Sequence, residues 1–134
     1  MKTNPNNGPI IEIDEANFES EVRRWKQPVL VAFSAVWSRP CQILDSVLEE
    51  VATACAGRVK VVKLNADNHP ELSFVWKIQS IPTLLYFIDG NLRARIVGTA
   101  SKEAILSKLE SAFPAVREAL VRPFSDNRRN ALDE

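Results

Sequence analysis

Apolar positions along this chain switch between two periods, and each switch marks an element. Ile10-Ile11-Glu12-Ile13 reads as a short strand. Asp14 follows as an N-cap for a helix in which Phe18, Val22 and Trp25 recur at helical spacing, and Pro28 closes the connection. Val29 to Phe33 is a continuous, branched apolar run, suited to a strand covered on both faces. From Pro40 to Ala56 the positions Ile43, Leu44, Val47, Leu48 and Val51 mark one helical face, and Gly57 follows where a left-handed C-cap is favoured.

Val59 to Leu64 returns to strand, and His69-Pro70 starts a short helix through Trp76, with proline early enough that its missing N–H does no harm. Thr83 to Ile88 is another strand. Asp89-Gly90 is a strong hairpin signal leading into Leu92 to Val97, and Ser101 caps a last helix with Glu103 in its first turn. The order β-α-β-α-β-α-β-β-α implies an α/β sandwich, parallel through its middle, with an antiparallel hairpin at the end. Residues 10 to 113 form the expected domain. Residues 1 to 9 read as a disordered lead-in, and residues 114 to 134 as a short helical extension and a mobile tail.

Composition narrows the function classes. The chain has 134 residues, 46% of them apolar, which suits one core. Seventeen basic residues balance seventeen acidic ones, and no basic stripe is available for nucleic acid or anionic lipid. With no secretory core in MKTNPNNGP and no apolar run long enough to span a bilayer, a cytoplasmic monomer without membrane contact is expected. The two cysteines, Cys41 and Cys55, fall on one helix roughly 20 Å apart along its axis, beyond the about 7 Å that a disulfide tolerates. One histidine, His69, and two distant cysteines assemble no zinc site, and the four glycines leave no phosphate-cradling loop, so no metal or cofactor is expected.

The chemistry concentrates in Trp37-Ser38-Arg39-Pro40-Cys41, between a strand and a helix. Ser38 reads first as a helix N-cap, its Oγ accepting the Cys41 N–H, with Pro40 between them having no N–H to satisfy. Helix N–H groups and Arg39 favour negative charge at Cys41. Cys55 reads as a small buried hydrophobe, and Trp25 and Trp76 as core or half-buried packing.

An aromatic-x-x-Pro-Cys turn after the second strand, in this order of elements, resembles the thioredoxin family. "VLVAFSAVWSRPCQILDSVLEEVA" is similar to that family's strand, active-site turn and first long helix; "VKVVKLNADNHPEL" to its third strand and following loop; "IQSIPTLLYFIDGNLRARIVG" to its Ile-Pro-Thr loop and terminal hairpin. The resemblance implies the thioredoxin fold over roughly residues 10 to 113. It places Ser38 at the position of the attacking cysteine and Cys41 at that of the resolving one. A serine hydroxyl ionises far above neutral pH and cannot start disulfide exchange. Ala32 stands where the family usually buries an Asp, Lys63 where that Asp has its lysine neighbour, and Ser34 where an aromatic is usual.

By the same resemblance Trp37 walls a client groove with Arg39 and Pro40 beside it, Ile81-Pro82-Thr83 forms the opposite wall with Ile81-Pro82 cis, and Val97, Gly98 and Thr99 complete it. The implied function is binding of extended or Cys-containing polypeptides, with Cys41 available for a mixed disulfide and with little or no dithiol turnover. Chaperedoxins are a partial precedent, though they carry a long repeat region as well. The alternative is a protein-disulfide reductase whose nucleophile was substituted at position 38, or a monothiol oxidoreductase using Cys41. A third is an interaction module whose partner reads residues 114 to 134.

Overall fold

The computed structural model describes residues 10–112; residues 1–9 and 113–134, with the lead-in, the end of the expected domain and the extension, lie outside the described residues. The elements in chain order are β1 (Ile10–Ile13), β2 (Val29–Ser34), α1 (Arg39–Ala54), β3 (Lys60–Asn65), α2 (Pro70–Val75), β4 (Thr83–Ile88), β5 (Asn91–Val97) and α3 (Lys102–Ala112). The sheet runs β1-β3-β2-β4-β5. Its first three strands are parallel, β4 pairs antiparallel with β2, and β5 pairs antiparallel with β4. This is the mixed α/β architecture that the order of apolar runs implies.

Two cores flank the sheet because side chains alternate along each strand. Leu30 and Ala32 of β2 join Leu44, Leu48 and Val51 of α1 and Ile105 and Leu109 of α3 on one face. Val29, Val31 and Phe33 meet Phe18, Val22, Leu85 and Phe87 on the other. β2 and β4 are buried along their whole length, as their uninterrupted apolar runs require. The Asp89-Gly90 turn has positive φ at both residues, and a Cβ on Gly90 would stand 2.6 Å from the Arg23 carbonyl oxygen, so only glycine fits there.

Several expectations are corrected. The first helical segment is a 3-10 turn, Glu15–Asn17, followed by a π turn, Glu19–Arg23, in which the Arg24 N–H reaches the Glu19 carbonyl. Asp14 still caps it, exchanging side-chain and backbone hydrogen bonds with Asn17. Trp25 lies at the surface with the Lys60 ammonium 3.3 Å from its ring centroid, where Lys60 also pairs with Glu21. Ile43 faces solvent; the buried stripe of α1 is Cys41, Leu44, Leu48, Val51 and Ala52 with Val47 packed against it, so the expected face holds except at Ile43. Helix α1 is capped at Cys55, so the left-handed Gly57 turns the chain two residues beyond the cap.

Cys55 and Tyr86 share the first core, and the buried Tyr86 hydroxyl has no hydrogen-bond partner among the described residues. Burial pushes the Cys55 thiol from 9.0 up to about 11, against smaller opposing effects of Arg58 and Lys102. Burial, and then Cys55, pushes the Tyr86 phenol up as well. Both groups hold their protons more tightly in the folded chain, so the contribution of Cys55 to stability is complete below pH 9.0 and is lost as pH rises toward about 11, while that of Tyr86 begins to be lost only above pH 10.0. Alkaline urea titrations are expected to show a loss on the order of 2–3 kcal/mol from Cys55. The combination Cys55→Ala with Tyr86→Phe should flatten that slope; an unchanged slope would remove these residues as its cause.

Candidate functional site

β2 ends at Ser34, and α1 begins at Arg39, so four residues carry the chain from the middle of the sheet onto its face. Ser38 holds the extended conformation of an N-cap, and its Oγ accepts the Cys41 N–H at 3.3 Å. Pro40 occupies the first helical turn, where no N–H is needed. Cys41 points inward at 2% exposure, and its Sγ accepts the Ala35 N–H at 3.4 Å. The turn thus hides the thiol beneath Ser38, and leaves Arg39 and Pro40 exposed above it. Cys55 stands at the other end of the helix, buried and unpaired with Cys41.

Trp37 is 66% exposed, and its indole N–H donates to the Asp67 carboxylate. This bond fixes the ring against the loop after β3, where Asn65 caps the 3-10 turn Ala66–Asn68 by accepting the Asp67 N–H. A cleft of about 490 Å³ runs from Trp37 past Asp67, Pro70 and Phe74 to Ile78 and Ile81. Beyond it, Lys77, Gln79, Ser80, Thr83, Arg95 and Val97 line a second hollow of about 280 Å³. Gln79 and Ser80 belong to both.

The Ile81–Pro82 bond is cis. Thr83 pairs with Val97 across β4 and β5 and with Phe33 across β2 and β4, which carries this loop to the end of the sheet where the turn begins. The Gly98 N–H donates to the Pro82 carbonyl at 2.8 Å, with Gly98 at φ +87°. Pro82 and Thr83 are buried, Ile81 and Gly98 half-buried, and Val97 and Thr99 exposed. The structure therefore brings Trp37 and Ile81 to one cleft, Thr83 and Val97 to the next, and Pro82 against Gly98.

Ala32 is sealed in the core with Leu44, Leu48 and Leu84. Lys63, expected to lack its usual partner, lies with Nζ 3.5 Å from an Asp45 carboxylate oxygen on α1. The acid facing this lysine is supplied by the helix, not by β2. His69 starts α2, its Nδ1 4.0 Å from Glu15, and no group of three or more metal-ligating side chains occurs among the described residues.

Two features escaped the sequence reading. Phe74 is 84% exposed beside the Trp37 cleft, although it lies in an apolar stretch that looks like a buried helix. Six residues of α2 are too few for periodicity to separate its faces. Asp67 had a local signal, since Asn65-x-Asp67 is a side-chain-capped turn, but its hold on Trp37, thirty residues away, had none. No helix among the described residues is long and apolar enough to cross a membrane.

This geometry agrees with what similarity to known proteins shows. The family model described as Thioredoxin matches residues 9–111. The chain is 39% identical over 112 residues to a thioredoxin of Mycobacterium tuberculosis, covering 84% of this chain and 97% of that one. It is 38% identical over 102 residues to a thioredoxin of Pseudomonas aeruginosa, covering 76% and 94%. A thioredoxin of Synechocystis matches at 38% over 99 residues, covering 74% and 92%. Sheet order, cis bond and the turn before α1 thus sit in a chain that belongs to the thioredoxin family.

Proposed function

We propose that this chain is a thiol–disulfide oxidoreductase of the thioredoxin type that works through one sulfur, Cys41. Trp37, Arg39, Pro40, Ile81, Pro82, Thr83, Val97, Gly98 and Thr99 border the polypeptide it engages. The observation that carries this reading is the cap: Ser38, the residue opposite Cys41, spends its oxygen on the Cys41 N–H, so a sulfur is present at only one end of the turn. The names of its relatives support the reaction class.

In this reading the Cys41 thiolate attacks a client disulfide R–S–S–R′. The Cys41–S–R bond forms as the S–S bond of the client breaks, and R′–S⁻ leaves and takes up a proton. Turnover then needs an external thiol, which displaces Cys41 and ends as a disulfide with R. Because Cys41 is 2% exposed, the turn must open at Ser38 for each exchange. A reducing compartment such as the cytoplasm, and a monomer, go with this reading.

The test is a peptide disulfide with a chromophoric leaving thiol. One equivalent released per chain, a matching mass increase at Cys41, and further release only with added glutathione are expected. Cys41→Ala should abolish release and Cys55→Ala should keep it. Release that persists in Cys41→Ala would overturn the assignment.

A second reading, client binding without covalent exchange, is favoured by the exposed apolar side chains Val36 and Trp37 on the turn, Phe74 on the Trp37 cleft and Val97 on the adjoining hollow. Suppression of client aggregation that survives in Cys41→Ala, with no adduct in the unaltered chain, would select it.

A further inference from the structure

Between the β4–β5 pair and the loop after α2 lies the hollow of about 280 Å³ lined by Lys77, Gln79, Ser80, Thr83, Arg95 and Val97. Thr83 and Val97 belong to the proposed client groove, and Gln79 and Ser80 line the Trp37 cleft as well. The hollow therefore continues that groove, and two features give it a chemical preference of its own.

The first is charge. Lys77 and Arg95 both line the hollow, no acidic side chain does, and neither cation forms an ion pair among the described residues. Arg95 is also held in place: its guanidinium donates to the Trp76 carbonyl at 2.9 Å and to the Lys77 carbonyl at 3.4 Å. A guanidinium has five N–H groups, so donors remain after these two bonds, and one already fixed by its neighbours loses little freedom on meeting a carboxylate. The second is the backbone under Lys77. α2 ends with the Ile78 N–H donating to the Ser73 carbonyl at 2.8 Å and the Lys77 N–H to the Phe74 carbonyl at 3.1 Å. This closing pair leaves residue 77 in the left-handed region, at φ +57°, where glycine is the usual occupant. A long cationic side chain thus stands at the mouth of the groove in a position whose backbone favours having none.

We propose that Lys77 and Arg95 form an acidic-residue subsite of the client groove, selecting polypeptides that carry an Asp or Glu beside the segment lying over Pro82 and Thr83. The proposal rests on the reading that Pro82, Thr83 and Val97 border a bound polypeptide, and it adds the chemical class of that polypeptide. The client carboxylate accepts N–H groups from the Arg95 guanidinium and the Lys77 ammonium, while its backbone stays on the Thr83 and Val97 side of the hollow. The space admits a glutamate side chain. A basic residue in the same register meets two like charges and is disfavoured. Selection by charge acts before any sulfur exchange and holds whether or not Cys41 reacts.

The test uses the full chain carrying Cys41→Ala, so that no covalent adduct forms, and short peptides with a central serine in place of the client cysteine. A single glutamate is walked through the positions on either side of that serine, and each peptide is paired with its glutamine counterpart. Affinities are read from saturable shifts of the Lys77, Gln79 and Val97 backbone amides in heteronuclear NMR spectra. At the best register the glutamate peptide is expected to bind about fivefold more tightly than its glutamine counterpart at low ionic strength, the scale of a partly exposed ion pair, and concentrated salt should shrink that ratio. Lys77→Asn removes the ammonium and keeps a residue that tolerates the left-handed backbone, so the ratio should fall to about twofold or less.

Equal binding of the glutamate and glutamine peptides at every register would overturn the subsite and leave the groove standing. A ratio undiminished by salt, or unchanged in Lys77→Asn, would overturn the assignment to these cations; the salt dependence decides the matter if that variant does not fold. Failure of both peptides to bind would remove the groove reading, and the subsite with it.

Discussion

Ser38→Cys is expected to raise multiple-turnover reduction of a protein disulfide by at least about a hundredfold, because a thiol ionises near neutral pH and an alcohol does not. The backbone is already arranged for it. Residue 38 sits at the N-cap of a sixteen-residue helix, where unpaired N–H groups stabilise a thiolate, and Cys41 is three residues away on the same turn. With two sulfurs, the mixed disulfide formed at residue 38 would be resolved by Cys41 inside the chain, and no external thiol would be needed for that step. The substitution removes an oxygen cap, so a loss of about 1 kcal/mol of stability should accompany the gain. Both are measured directly, by turnover on an insulin-like substrate with a recycling reductant and by urea denaturation. Turnover by the unaltered chain at a rate matching the variant would show that Ser38 does not limit the cycle.

The same turn shows how much function was legible before any coordinates. Ser38, Pro40 and Cys41 announced a cap because capping depends on residues within a span of four, and the Ser38 Oγ to Cys41 N–H bond is the bond their spacing predicts. The strands were legible for a related reason. β2 and β4 are buried on both faces, so their apolar runs are unbroken and their extents need no phase. The first helical segment was not legible as a 3-10 and a π turn, because Phe18 and Val22 are four apart and satisfy a regular helix equally well.

Long-range pairings were the least legible. Lys63 reaches Asp45 from β3 to α1, and no local pattern ties the two. Ile43 shared the helical spacing of Leu44 and Val47, yet it lies at the edge of that face and points to solvent while Leu44 and Cys41 are buried. Trp25 illustrates the converse: a large aromatic expected to pack inward finds its contact in the Lys60 ammonium at the surface.

Phe87→Ala is expected to destabilise the chain by about 3–5 kcal/mol, a large part of what a domain of this size commands. Phe87 is fully buried in β4 and meets two other rings edge to face, Trp76 at 5.0 Å and Phe18 at 6.0 Å between centroids. Truncation removes both ring contacts and leaves a void that the flanking strands β2 and β5 cannot close without breaking their pairing. Phe87→Leu keeps most of the volume and should lose only about 1–1.5 kcal/mol. The ring also supports the groove at a distance. Trp76 packs on it, the Arg95 guanidinium donates to the Trp76 carbonyl at 2.9 Å, and the chain from Lys77 then runs directly to Ile81 and Pro82. Urea titration gives the energy, and binding of a client peptide to the folded fraction reads the loop. A stability change below about 1 kcal/mol for Phe87→Ala would mean that the second core repacks freely and that the aromatic cluster does not hold the loop in place.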